Sequence, residues 1–352
     1  MNKIRELINT IEGLDHEIMG KAQKKLDCLT KPQGSLGRLE ELAKQITGIK
    51  RTLNIALNNK VIFTFAADHG IAEEGVSAFP QEVTAQMVYN FLAGGAGINV
   101  LARHEGDRVV VADLGVKEQL KADNNTLKVK KIGLGTKNFL KEKAMTRKQA
   151  EMSIEAGIEI FSEAFKKGID IIGIGEMGIA NTTSASAIVA AITGARVKDI
   201  TGKGTGINDK MLKHKIKVIE KALLLHKPDK GDAIDVLSKV GGFEIGGLAG
   251  VSLAAASRKI PVVVDGFIST AAALIAYKLE PKTAAYMISA HSSVEKGHKL
   301  MLEYMNLKPL LNLDLRLGEG TGAALAINLV EAGVKIMNEM ATFENANVSE
   351  QV

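Results

Sequence analysis

Residues 313–325 read LDLRLGEGTGAAL, in which a strand-like alternation of leucines runs into glycines that frame a single carboxylate, Glu319. Residues 173–188, GIGEMGIANTTSASAI, repeat the device around Glu176. Glycine lets a backbone come close to a ligand or adopt φ > 0, and a helix that starts just afterwards offers unpaired N–H groups to an anion. Phosphate is the natural occupant. Gly178, Asn181 and Thr182, with Ser292 and Ser293 of the AHSS run, are the donors this reading selects. Taken singly, Asn181, Thr182 and Ser293 suit a plain helix cap equally well.

Asp68, His69, Asp113, Asp265 and His291 also follow apolar runs, and together they could form a metal set. They lack the local spacing of a ligand motif such as HExxH, and the adjacent Asp68 and His69 would point apart on an extended chain. They read as braces for the loops around a site, with no metal and no cofactor expected. The run TGKGTGIND (residues 201–209) lacks the lysine–serine ending of a P-loop, so its glycines read as loop-shaping and Asp209 as the cap of the next helix. In EEGVSAFPQEVTAQMVYNF (residues 73–91) most apolar residues belong to a core. A flexible methionine, Met87, and an amide, Gln86, with Ser77 in the same segment, could line a slot for a flat heterocycle.

Positioning these residues requires a parallel sheet. Seven short apolar runs, VIFTFAA, RVVVADLG, LKVKKIG, IDIIGIG, IPVVVDG, AAYMISA and LLNLDLRL, alternate with helical segments from Val61 onward. The polar runs sit just after them, and in an open parallel sheet ligands bind beyond the C-terminal strand ends. One intervening helix is signed by a capping box, Thr146 with Gln149; another opens at Pro80 and closes at Gly94 and Gly95. The first sixty residues are helical in pattern: 2–12 ending at Gly13, a second helix after Asp15, and a third over about 36–53. After about Met340 periodicity is lost, which predicts a loosely docked tail.

Composition sets the frame. The chain has 352 residues, enough for a large α/β domain with a small companion, and 46% hydrophobic with 24% charged residues is ordinary for a folded protein. The net charge of +5 is spread along helices, which argues weakly for an anionic ligand and not for nucleic acid. A single cysteine, Cys28, excludes an intramolecular disulfide framework and reads as a core-facing helix residue. No run has the apolar length of a signal peptide core or a membrane span, so a cytoplasmic protein is expected.

Seven motifs in one order, KPQGSLGRLE, FAADHGIAEEGVSAFPQEVTAQMV, GEMGIANTTSASAI, GTGI, VVDGFISTAAALIA, AHSS and LRLGEGTGAALA, resemble the nicotinate-nucleotide:5,6-dimethylbenzimidazole phosphoribosyltransferase family over about residues 30–335. The resemblance implies a Rossmann-like α/β catalytic domain over 61–325. A helical small domain over 1–60, completed by residues 325–352, and a homodimer are implied with it. It also implies transfer of the phosphoribosyl group of nicotinate mononucleotide to 5,6-dimethylbenzimidazole, a step in making the lower-ligand nucleotide of cobalamin. By this resemblance Glu319 is the base and Glu176 the second carboxylate, with Lys215, Arg316 and the AHSS serines near the nucleotide and Ser77, Gln86 and Met87 along the benzimidazole slot. Two other readings stay open at this level: a nucleotide-binding protein without chemistry, and a metal-dependent phosphohydrolase built on Asp68, His69, Asp113 and His291.

Overall fold

The structure is a computed structural model in which residues 2–123 and 126–349 are described. Three helices open it: α1 (Asn2–Ile8), α2 (His16–Asp27) and α3 (Arg38–Lys50). Asp15 caps α2 by accepting the Ile18 N–H, as its sequence position suggests. The first helix stops at Ile8 instead of reaching residue 12, because tight turns through Thr10 and Ile11 take over. Cys28 does not face the core. It is the exposed C-cap of α2, and its carbonyl accepts the N–H of Phe343.

Six strands follow, β1 (Lys60–Ala67), β2 (Arg108–Gly115), β3 (Leu127–Val129), β4 (Ile171–Met177), β5 (Val262–Val264) and β6 (Met287–Ser289). All their pairings are parallel, in the order β3-β2-β1-β4-β5-β6. The order reverses between β1 and β4, so the loops leaving these strands diverge and open a crevice. The seventh expected strand does not form. Leu310 and Leu311 begin to pair along the β6 segment, but Leu313 is exposed and Asp314 takes φ +53°, which breaks the extended run.

The intervening helices are α4 (Val83–Ala93), α5 (Gly97–Glu105), α6 (Arg147–Phe165), α7 (Asn181–Thr193), α8 (Val197–Ile200), α9 (Asp209–His226), α10 (Ala233–Val240), α11 (Phe243–Ser257), α12 (Phe267–Leu279), α13 (Lys296–Tyr304) and α14 (Thr321–Glu339). The Thr146–Gln149 capping box opens α6. Gly94 ends α4 in the left-handed region, though Pro80 stands in a turn three residues before that helix begins. Asn208, not Asp209, caps α9, accepting the Met211 N–H, while Asp209 pairs with Lys203. Helix α11 is buried along almost its whole length and packs on α6 and α12, which is why it reads as apolar all round. Helix α14 packs on α3, α5 and β4. The tail is anchored, since Ala341 and Thr342 pair with Thr30 and Leu29.

The turn into α14 lies directly on β4. A methyl group at Gly175 would overlap the Gly320 nitrogen and the Glu319 carbonyl carbon, so only glycine lets the two backbones touch. We expect Gly175→Ala to cost about 1–3 kcal/mol in urea unfolding, the range for overpacking a filled core. Gly20→Ala, in α2 with nothing within 4 Å, should instead add up to about 1 kcal/mol. Wild-type stability for Gly175→Ala would show that the turn does not rest on the strand.

Candidate active site

Beyond the C-terminal strand ends lies a cleft of about 320 Å³. Phe79, Val83, Met87, Met177, Ile179, Phe267, Ile268 and Leu317 give it apolar walls, and Glu176, Asn181, Thr182, Thr205, His291, Ser293, Glu295, Arg316 and Glu319 are its polar residues. A largely apolar recess with a few convergent polar groups is the usual form of a small-molecule site.

Glu319 is 3% exposed and sits at φ +65°, between Gly318 and Gly320, which also take positive φ. Three contacts hold the turn. The Thr64 hydroxyl donates to the Glu319 carbonyl (2.8 Å), the Glu319 N–H donates to the Glu176 carbonyl (3.2 Å), and the Asp265 carboxylate accepts the N–H groups of Gly320, Gly322 and Ala323. The Glu319 carboxylate in turn accepts the Ile98 N–H at the start of α5 (3.0 Å). Burial raises its pKa above the usual carboxylate range, with the charge of Asp265 adding to the shift and the helix N–H groups opposing it.

Glu176 stands in register with Phe65 of β1 and accepts a hydrogen bond from Asn181 Nδ2. Burial lifts its pKa well above the ordinary value, and the neighbouring Glu244, Asp265 and Glu319 push it further. Asp265, fully enclosed, is pushed up to about 7 by burial despite its backbone donors. Burial and these neighbouring carboxylates thus both bias Glu176 toward its protonated form.

Behind Thr182, Lys215 of α9 is buried and donates to Thr182 Oγ1 (2.7 Å). It does not line the cleft itself, and burial lowers its pKa to about 8. Because the Thr182 oxygen accepts from an ammonium, its own proton is free for an anion in the cleft. The AHSS segment does not open a helix, as α13 starts three residues later at Lys296. Its amides are already used, Ser292 N–H by the Leu311 carbonyl and Ser293 N–H by His298 Nδ1, so what Ser293 can offer the cleft is its hydroxyl. Arg316 stands exposed at the rim.

The structure thus gathers Glu319, Glu176, Gly178, Asn181, Thr182, Ser293, Arg316 and Met87 around one cleft and leaves Lys215 directly behind it. Ser292, Ser77 and Gln86 are not among the lining residues. Gln86 is exposed, and Ser77 Oγ meets Oγ1 of the cleft-lining Thr205 at 3.3 Å. Asp68 takes the Lys117 N–H, Asp113 takes those of Gly115 and Val116, and His69 lies between Ser184 Oγ (2.9 Å) and Glu244 (2.7 Å). His291 lines the cleft with its Nε2 3.7 Å from Asp265. Among the described residues no group of three His, Cys, Asp or Glu is arranged to hold a metal ion.

Sequence reasoning missed Glu244, Glu295 and His298. A lone carboxylate in the apolar run GGFEIGGLAG could have marked Glu244. Glu295, which lines the cleft and accepts the Gly204 N–H (2.8 Å), carried no such signal.

A phosphoribosyltransferase family model matches residues 11–348. The nicotinate-nucleotide–dimethylbenzimidazole phosphoribosyltransferase of Citrifermentans bemidjiense is 54% identical over 99% of each chain. That of Chloroflexus aggregans is 55% identical over 100% of this chain and 99% of its own. The crystal structure of the Thermus thermophilus enzyme of the same name is similar with a TM-score of 0.91 at 40% identity, covering 96% of this chain and 100% of that one. Full-length identity at this level, on one fold, places the chain in the nicotinate-nucleotide–dimethylbenzimidazole phosphoribosyltransferase family.

Proposed function

We propose that the chain moves the 5-phosphoribosyl group of nicotinate mononucleotide to 5,6-dimethylbenzimidazole, giving α-ribazole 5′-phosphate and nicotinate. The observation that carries this is Glu319: a buried carboxylate with a raised pKa, held by helix N–H groups in the wall of an apolar slot. The leaving nicotinate departs from a pyridinium nitrogen that is already cationic, so its departure needs no general acid. The incoming benzimidazole must lose its N–H proton as the new bond forms, and one base suffices.

Positive charge grows on the ribose as the old bond breaks, and Glu176 is placed to meet it. A cationic pyridinium brought beside Glu176 opposes the upward pKa shift that burial causes, so the substrate favours the carboxylate form that stabilises this charge. The Thr182 and Ser293 hydroxyls, with Arg316 at the rim, hold the phosphate, and Lys215 orients Thr182 from behind. The apolar walls around Met87 take the flat base. The same reading implies a cytoplasmic homodimer with a helical small domain, residues 1–60 with 325–352, beside the 61–325 catalytic domain. The packing of α3 on α14 supports that partition.

Mixing the chain with nicotinate mononucleotide and dimethylbenzimidazole in the presence of a chelator should release nicotinate. A product of free phosphate, or tight nucleotide binding with no nicotinate, would sink the proposal. Glu319→Gln should lower turnover by roughly 10²–10⁴-fold with nucleotide affinity retained, the usual worth of a positioned base; turnover within about threefold of wild type removes Glu319 from the mechanism.

Lys215 is charged below about pH 8 and neutral above it. The kcat/KM for nicotinate mononucleotide should therefore fall as pH rises through about 8, and Lys215→Met should flatten that limb at a lower plateau. An unchanged alkaline limb in the variant would assign it to another group. Direct attack opposite the leaving nicotinate inverts C1′, so the product read by NMR should be α-linked, with no nicotinate burst when the base is withheld. A β-linked product or a ribosylated protein by mass spectrometry would make Glu176 a nucleophile, since two displacements restore configuration.

A further inference from the structure

Two loops that line the cleft, one after β5 through Gly266 and one after β6 through Ser293, are joined behind its wall by a single buried chain of hydrogen bonds. Ser293 N–H donates to His298 Nδ1 (3.0 Å), His298 Nε2 meets Thr270 Oγ1 (2.9 Å), and the Thr270 hydroxyl donates to the Gly266 carbonyl (2.7 Å). His298 and Thr270 are buried and do not line the cleft.

Both ends of this chain are backbone groups with fixed polarity, an N–H at Ser293 and a C=O at Gly266. The direction of every bond between them is therefore fixed. Nδ1 must accept, Nε2 must carry the proton and donate to Thr270, and the Thr270 proton must go to Gly266. Only the neutral imidazole with its proton on Nε2 satisfies both neighbours. Burial, with His291 facing it at 6.1 Å between ring centroids, drives the pKa of His298 down to about 3, which keeps it in that state.

We infer that His298 is a positioning residue for the nucleotide: through Thr270 it sets the spacing of the Gly266 and Ser293 walls. By taking the Ser293 amide it leaves that serine's hydroxyl, braced by the Glu295 N–H at 3.4 Å, to face the phosphate. The inference rests on the reading of the cleft as a phosphoribosyl site, and it gives the second wall a part no substrate contact would reveal. A serine hydroxyl moved out of reach of the phosphate loses a hydrogen bond to a charged group, which is worth about 10- to 100-fold in binding.

Two substitutions separate the halves of the chain. In His298→Asn the side-chain oxygen falls where Nδ1 stood and keeps the Ser293 bond, whereas His298→Gln extends an amide toward Thr270 and loses it. Thr270→Val breaks the far bond and Thr270→Ser restores it. The KM for nicotinate mononucleotide should rise by about 10- to 100-fold in His298→Gln and Thr270→Val, less in His298→Asn, and return close to wild type in Thr270→Ser, with kcat and the KM for the benzimidazole changed by less than about threefold.

Amide exchange at Ser293 reads the brace without any substrate: slow in wild type and His298→Asn, fast in His298→Gln. Wild type that releases no nicotinate but shows this exchange pattern overturns the substrate assignment and keeps the brace. Equal KM values in the Asn and Gln variants, or kcat falling in step with melting temperature across the four, overturn the positioning role.

Discussion

The candidate site of this chain depends on one backbone-to-backbone contact, the seat of residues 319 and 320 on Gly175 of β4. A side chain there would lift the turn away from the strand and move Glu319 out of the cleft wall. The surrounding contacts make sense as responses to that constraint. Thr64 reaches up from β1 to the Glu319 carbonyl, and Asp265 gathers three N–H groups from beyond β5, so the turn is gripped from both sides of its seat. A non-glycine residue at φ +65° costs roughly 1–3 kcal/mol and persists only where its surroundings over-determine it. Here they do.

The second theme is charge held out of water. Glu176, Glu244, Asp265 and Glu319 are all buried near one another, with Lys215 standing off behind Thr182. Such a cluster is poised to favour a cation: a ligand that brings positive charge relieves the repulsion that the folded chain maintains. The apolar walls sharpen the effect, because they exclude the solvent that would screen it.

The six strands were legible because each is a short apolar run after which the chain turns polar, and a parallel sheet buries both faces. The false seventh, LLNLDLRL, has the right alternation but no partner beyond Leu311, so Asp314 turns out of line and Leu313 and Leu317 stay exposed. The two glycine-framed glutamates were legible for a local reason, since the glycines that admit them adjoin them in sequence. Glu244, Glu295 and His298 were not, because what matters about each is a partner far away in the chain: His69 for Glu244, Gly204 for Glu295, Thr270 for His298. Cys28 misled for the reverse reason: its neighbours are helical, and only the end of α2 puts it outside.

The pairing of Thr30 with Ala341 joins positions 311 residues apart, and α3 lies against α14. On a ribosome α3 can pack on α2 at once, but its side that meets α14 waits for nearly the whole chain before it is covered. During that interval the side of α3 that packs on α14 in the finished structure has no native neighbour. The opening fifty residues are thus the stretch of this polypeptide with the longest exposure to chaperones and to misassociation, a burden set by topology and not by composition.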